Sequence, residues 1–429
     1  MSIVSMNRRA LISSGIASGA TLMFGGTAGA AQKTSAGGFS ARRLKHLTNG
    51  LQGYVDRGII AGVHTLVHRR GVLAHSDLLG WQDAEAKIPL RRDTIYRIAS
   101  MSKPVTCVAA LMLMEDGKFR LEDPIDTWLP ELANRRVIKT PSGPLEDTYP
   151  APRAITVEDL LTQRLGFASG LGGTEGPLLA ALGTLREAAN MDEWLARAGK
   201  IPLQYAPGER FIYGAAHDIL GHLVARVSGM SYADFLQTRL FGPLGMVDTA
   251  FWVPKEKLNR LTVAYGFDAA SGKKSVSDAA TQARVTAPPK IASGAGGLVS
   301  TGDDYLKFGR MLLGHGRLGD VRILSRKTVE LMTTDFLTPE QRKMPFFGDT
   351  EFWKGQGYGL GVSVTDKIAL RREPASVGQY GWNGAFGTMW LNDPQEDMTA
   401  IMMIQTAFGE TSPRIQRDFR TWVYQAMDD

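Results

Sequence analysis

The stretch 101–116 constrains this chain more than any other part of it. Met101-Ser102-Lys103-Pro104 is followed by an almost unbroken series of Val, Cys, Ala, Leu and Met. A run of this length exceeds a strand and has no polar face, which predicts a helix buried on all sides. Such a helix needs a large body around it. The chain supplies one, with 429 residues of which 44% are hydrophobic, enough for two or three structural units or one composite domain. The single Cys107 leaves no intramolecular disulfide and no paired-cysteine metal or redox motif.

Leu44, Leu47, Leu51 and Val55 recur at helical spacing behind Ser40, so a helix opens the body of the chain. Residues 59–68 and 72–79, parted by Arg69-Arg70-Gly71, read as the two strands of a hairpin. Between 121 and 289 the pattern turns helical, with helices expected at 157–161, 178–198, 215–227 and 232–240. The last third carries helices at 303–313 and 325–332, strand-like runs at 358–364, 386–392 and 398–405, and a closing helix at 413–427. The first third has too few strands for a sheet of its own. We therefore expect residues 40–120 and 290–429 to share one α/β domain that brackets a mainly helical domain, 121–289.

Arg8-Arg9 precede an apolar stretch, 10–24, and then Ala28-Gly29-Ala30, a small-residue cleavage signal. Residues 1–30 read as an export peptide of the twin-arginine type, which places the mature protein in the periplasm. The apolar stretch falls short of the roughly 20 residues that span a bilayer, so no stable membrane insertion is expected. The formal net charge is +6, but the basic residues are scattered in pairs such as Arg42-Arg43 and Arg371-Arg372. Without a clustered stripe, nucleic acid is not an expected partner.

Two common hydrolytic chemistries have no motif here. There is no G-x-S-x-G and no H-E-x-x-H. His64 and His68 lie four residues apart on an expected strand, which separates them by about 13 Å, too far to share a metal. No metal and no cofactor is expected. What remains is Ser100-Met101-Ser102-Lys103 at the head of the apolar helix, where positions i and i+3 bring hydroxyl and amine within reach. Desolvation by the apolar run favours the neutral amine, which can take the serine proton. Pro104 fits only in the first turn. The motif alone is weak, since Ser271-Gly272-Lys273-Lys274 repeats it in a polar turn.

Two further segments add to it. Pro207-Gly208-Glu209-Arg210-Phe211-Ile212-Tyr213 presents a tyrosine at the exit of a Pro-Gly turn, either as a base beside a lysine or as a phenol that caps the next helix. Gly381-Trp382-Asn383-Gly384-Ala385 stands at the head of an apolar strand. Its glycines would let a carbonyl approach the backbone, so that the Ala385 N–H joins that of Ser100 as an oxyanion hole, or they form a bulge or turn.

With these three segments in this order, the chain from about Ser40 to Asp429 resembles the serine β-lactamase and penicillin-binding protein superfamily. It is most similar to class C β-lactamases and family VIII carboxylesterases. Gly117-Lys118-Phe119-Arg120-Leu121-Glu122-Asp123-Pro124, Pro243-Leu244-Gly245-Met246 and Gly296-Gly297-Leu298-Val299-Ser300-Thr301 share the likeness. The resemblance implies a β-lactamase/transpeptidase-like fold of the α/β (α+β) class, with an antiparallel sheet flanked by helices plus a helical domain. It implies Ser100 as nucleophile, Lys103 as its activating partner and Tyr213 as general base. Ser100 and Ala385 would form the oxyanion hole, with Trp382, Asn383 and Gly384 binding substrate.

Departures from the class C pattern choose the branch. That pattern has Tyr-x-Asn, where this chain has Tyr213-Gly214-Ala215, and Lys-Thr-Gly, where it has Trp382-Asn383-Gly384. Both changes remove groups that read a charged, amide-bearing lactam. The expected activity is hydrolysis of short-chain esters through an acyl-enzyme, with weak cephalosporin hydrolysis at its side. A β-lactamase, a DD-peptidase or D-amino-acid amidase, and an acyltransferase are the alternatives. The segments 170–178 and 346–353 are candidate walls of the acyl pocket, and Cys107 reads as a small buried apolar residue.

Overall fold

The computed structural model describes residues 34–170, 176–268, 270–280, 284–407, 409 and 411–429. The export peptide expected over 1–30 lies outside the described residues. Residues 34–429 form one compact unit, built on an eight-stranded sheet. In chain order its strands are β1 (Gly62–Arg69), β2 (Val72–Asp83), β3 (Ile88–Pro89), β4 (Gln356–Tyr358), β5 (Ser363–Thr365), β6 (Tyr380–Asn383), β7 (Met389–Asp393) and β8 (Met398–Met403). In space they run β4-β5-β6-β7-β8-β1-β2-β3, every pair antiparallel. The join between β8 and β1, with Met402 opposite Thr65, fuses the two ends of the chain. An antiparallel sheet with helices on both faces is what the resemblance implied.

Strand alternation assigns the faces. Val63, Val67, Ala400 and Met402 point into a cluster under helices α1 (Ala41–Asp56) and α5 (Thr411–Gln425), which contribute Leu44, Leu47, Leu51, Ile415, Phe419 and Val423. Leu66, Ile401 and Met403 point the other way, into a larger cluster. That cluster holds α2 (Ser102–Glu115), α3 (Ala216–Ser228) and α4 (Gly302–Leu313). Helix α2 is buried from Ser102 to Leu113, as the run of apolar residues requires.

Several boundaries differ from expectation. The helix expected over 178–198 is broken into Gly176–Gly183, a 3-10 turn at Thr184–Glu187, and Met191–Ala198. The Asn190 side chain accepts Glu193 N–H at 2.9 Å and Glu193 reaches back to Ala189 N–H at 2.8 Å, which starts a new helix. The strand expected over 358–364 is two short strands folded about Gly359–Val362, and the strand expected at 386–392 begins only at Met389. The region 121–289 also holds two β-hairpins, Arg136–Ile138 with Thr148–Pro150 and Ala264–Asp268 with Lys273–Asp278. Among the described residues no helix is long and apolar enough to cross a membrane.

The fold carries an acid-sensitive element in β1. His64 is fully buried and, among the described residues, neither ring nitrogen has a hydrogen-bond partner. Burial, opposed by nearby Asp303 and reinforced by Arg92, pushes its pKa down from 6.5 to about 4. The unfolded chain therefore binds more protons than the folded one between pH 6.5 and about 4, so stability is full above that window and falls as pH drops through it. His64 alone should account for about 3 kcal/mol across the window. Urea unfolding from pH 8 to 4 measures this, and a His64→Leu variant that keeps the same pH slope would refute the assignment.

Candidate active site

Ser100 is delivered by a short antiparallel ladder. Tyr96–Arg97 pairs with Val299–Ser300, and Ile98 N–H donates to Leu298 O at 3.1 Å, so the segment before Ser100 lies against 298–300. Ala99 then takes a left-handed φ of 44°, and a 3-10 turn, Ala99–Met101, leads into α2. A non-glycine residue in that region costs about 1–2 kcal/mol, strain of the sort that fixes a reactive group. Ser100 is half-buried, with its N–H at the start of the turn, where helical bonding leaves donors without an acceptor. Pro104 lies in the first turn of α2, as expected.

Lys103 is 3% exposed, and its Nζ donates to Ser100 Oγ at 3.2 Å and to Ala295 O at 2.6 Å. The expected serine–lysine pair is thus formed. Its second anchor was not legible from the sequence. Asp218 accepts Ser293 Oγ–H at 2.5 Å and Ala295 N–H at 3.0 Å, which holds the loop whose carbonyl takes Lys103. Burial lifts the Asp218 carboxyl above its ordinary value, against its two hydrogen bonds and the nearby Lys103. Thr106 Oγ1 donates to Gly294 O at 2.7 Å, and Leu298 N–H to Ser102 Oγ at 3.1 Å, so the same loop is stitched along α2.

Tyr213 enters from an irregular segment before α3. Lys103 Nζ stands 4.3 Å from its ring centroid. The segment is pinned by Gln163, whose Oε1 accepts Gly214 N–H at 3.2 Å and whose carbonyl accepts Ile212 N–H at 2.8 Å. With its oxygen so engaged, Gln163 donates through Nε2 to His217 Nδ1, 2.7 Å away. Burial holds His217 well below its ordinary pKa and the Cys107 thiol well above its own, so both are neutral. The His217 proton is thereby assigned to Nε2, 3.1 Å from Cys107 Sγ. Cys107 is fully buried in the apolar core, as expected, and it also ends a buried polar chain from α2 to the Tyr213 segment.

Trp382 comes from β6. Pairing between β5 and β6 stops at Gly381, so Trp382 and Asn383 pair only with β7 and present a free edge inside the sheet. Trp382 Nε1–H donates to Tyr213 OH at 3.0 Å. The indole is thus a donor to the tyrosine, packed against Phe346, Phe352 and Tyr358. Asn383 departs from expectation. Strand alternation turns it to the other face, where its Nδ2 donates to Gln416 Oε1 of α5 at 2.9 Å, so its side chain does not join the site. Gly384 and Ala385 lie in the turn between β6 and β7, not at the head of a strand. The turn closes with Gly384 N–H to Thr388 O and Gly387 N–H to Gly384 O, and leaves Ala385 exposed. Gly384 abuts the Ile98 carbonyl, which sets this turn beside the one that carries Ser100.

The second S-x-x-K does not form a pair. Ser271 Oγ donates to Asp268 at 2.8 Å, and Lys274 lies over the Tyr265 ring in a surface hairpin. Residues 171–175 of the expected 170–178 wall lie outside the described residues.

Trp382→Phe keeps an aromatic ring, smaller than the indole, and removes the N–H. If Tyr213 serves as the expected base, its hydroxyl gains negative charge in reaction, and loss of a hydrogen bond to it costs about 1.5 kcal/mol or more, which is roughly tenfold or more in rate. We expect kcat/KM for p-nitrophenyl acetate to fall by that factor, and undiminished turnover would remove Trp382 from the reaction.

Known proteins resemble the chain over most of its length. Protein Rv1367c of Mycobacterium tuberculosis (strain ATCC 25618 / H37Rv) is 41% identical over 353 residues, 82% of this chain and 87% of the relative. Esterase EstB of Burkholderia gladioli is 27% identical over 384 residues, 85% of this chain and 91% of the esterase. The solved structure of EstCE1, a hydrolase with promiscuous acyltransferase activity, superposes with a TM-score of 0.76 at 26% identity, covering 89% of this chain and 99% of that one. The Beta-lactamase family profile matches residues 47–421, and the chain belongs to that family of the serine β-lactamase and penicillin-binding protein superfamily, with esterases among its relatives.

Proposed function

We propose that this protein is a serine carboxylesterase acting on short-chain esters through an acyl-enzyme on Ser100. The observation that carries the reading is the hydrogen bond from Trp382 Nε1 to Tyr213 OH. It supports charge on the tyrosine oxygen with a neutral donor. A lysine at that place would also attract the carboxylate of a β-lactam or peptide, and Ala215 offers no amide to read an acylamino group. The site therefore suits an uncharged ester.

In the proposed reaction the Ser100 proton passes to the Lys103–Tyr213 pair as Oγ attacks the ester carbonyl. The N–H groups of Ser100 and Ala385 stabilise the oxyanion, Tyr213 returns a proton to the leaving alcohol, and water repeats the cycle on the acyl-enzyme. Every proton is carried by side chains of the chain itself. The twin-arginine pattern at Arg8-Arg9 supports the periplasm as its compartment.

Hydrolysis of p-nitrophenyl acetate, butyrate and octanoate beside nitrocefin tests the reading. Short esters should turn over well and nitrocefin slowly. A preference for nitrocefin by orders of magnitude would make the protein a β-lactamase instead.

A further inference from the structure

The hairpin formed by residues 344–353 places aromatic rings on the proton-carrying tyrosine. Phe346 N–H donates to Asp349 O and Asp349 N–H to Phe346 O, both at 3.0 Å, which closes a two-residue turn. Phe347 and Gly348 have φ of 50° and 83°. This is the left-handed turn that ordinarily takes Asn-Gly or Gly-Gly, and a phenylalanine in its first central position is unfavourable. Held there, the Phe347 ring lies 5.7 Å from the Tyr213 ring and the Phe346 ring 5.2 Å from it, both edge-on. Phe346 also meets Trp382 at 6.0 Å and stacks on Phe352 at 4.2 Å. The base of the hairpin is fixed. Trp353 is buried against Phe211 and Phe352, Arg210 Nη1 donates to Met344 Sδ at 3.0 Å, and Arg342 is ion-paired with Asp335 and Asp366.

These separations are contact distances for aromatic rings, so nothing fits between the hairpin tip and Tyr213. In the proposed reaction Tyr213 hands a proton to the leaving oxygen, so the group nearest to it in the tetrahedral intermediate is the alcohol moiety. We propose that Phe346 and Phe347 select the alcohol half of the ester: they admit small or flat alcohols and exclude bulky, three-dimensional ones. This rests on the esterase reading, and it assigns to the alcohol side a hairpin that the sequence suggested for the acyl side.

The test varies each half of the ester separately in wild type, Phe346→Ala and Phe347→Gly. A pH-stat gives the kcat/KM ratio of menthyl acetate to methyl acetate, and absorbance gives that of p-nitrophenyl octanoate to acetate. Removing a ring from such a wall is worth about tenfold or more between substrates that differ in bulk, so the menthyl-to-methyl ratio should rise by at least that in both variants. The octanoate-to-acetate ratio should rise by less. Glycine adopts the φ of position 347 freely, so Phe347→Gly keeps the turn and decides the question alone if Phe346→Ala does not fold. A menthyl-to-methyl ratio that rises less than about tenfold, or an octanoate ratio that rises as much, overturns the proposal. If wild type hydrolyses no ester of either series, the esterase reading has failed and the selector falls with it.

Discussion

Ser100→Ala is expected to lower kcat/KM for p-nitrophenyl acetate by about 10⁴-fold or more, to the level that binding and oxyanion stabilisation sustain without a nucleophile. The variant should fold as the wild type does. Ser100 is half-buried, and Lys103 retains its bond to Ala295 O when the serine oxygen is gone. Tyr213→Phe should cost about 10²–10⁴-fold, the range of general acid–base catalysis, while leaving its ring against Lys103. An acyl group trapped on Ser100, seen as a mass increase after mixing with ester, would distinguish a deacylation defect from an acylation defect in that variant. Full activity in Ser100→Ala would dismantle the whole site, because Lys103 bonds that oxygen, Tyr213 stands on Lys103, and Trp382 bonds Tyr213.

The second large effect is structural in origin. A side chain at Gly384 would run into Thr388 Oγ1 and the Ile98 carbonyl, and the latter is backbone with no rotamer to escape to. Gly384→Val should therefore destabilise the protein by about 2–3 kcal/mol through overpacking. It should also abolish activity, because the Ile98 carbonyl it displaces lies in the turn that sets Ser100. Thermal melting and ester hydrolysis check the two effects together. An unchanged melting temperature with normal turnover would show that the two turns do not need this close approach.

Parts of the molecule follow directly from local pattern. The run after Ser100 could only be a buried helix, and the alternation around Arg69-Arg70-Gly71 could only be a hairpin. Where local reading failed, usable signals were sometimes present. Asn190 and Glu193 stand at the spacing of a helix start, and Gly359 and Gly361 mark the fold between β4 and β5. Elsewhere no such signal exists. Asp218 reaches Ser293 across 75 positions, and Trp382 reaches Tyr213 across 169. Neither pairing has a periodicity to betray it.

The sequence by itself determined the long helices and the β1–β2 hairpin, the closure of the first-third sheet by strands of the last third, and the spacing that puts Lys103 one helical turn beyond Ser100. These depend on hydrophobic period and backbone geometry, which act between neighbours. Only the tertiary structure decided that Asn383 faces α5 instead of the site, that Cys107 ends a polar chain through His217 and Gln163, and that Trp382 donates to Tyr213. Each of these depends on which face of one element meets which face of another, and that is settled when the whole core packs.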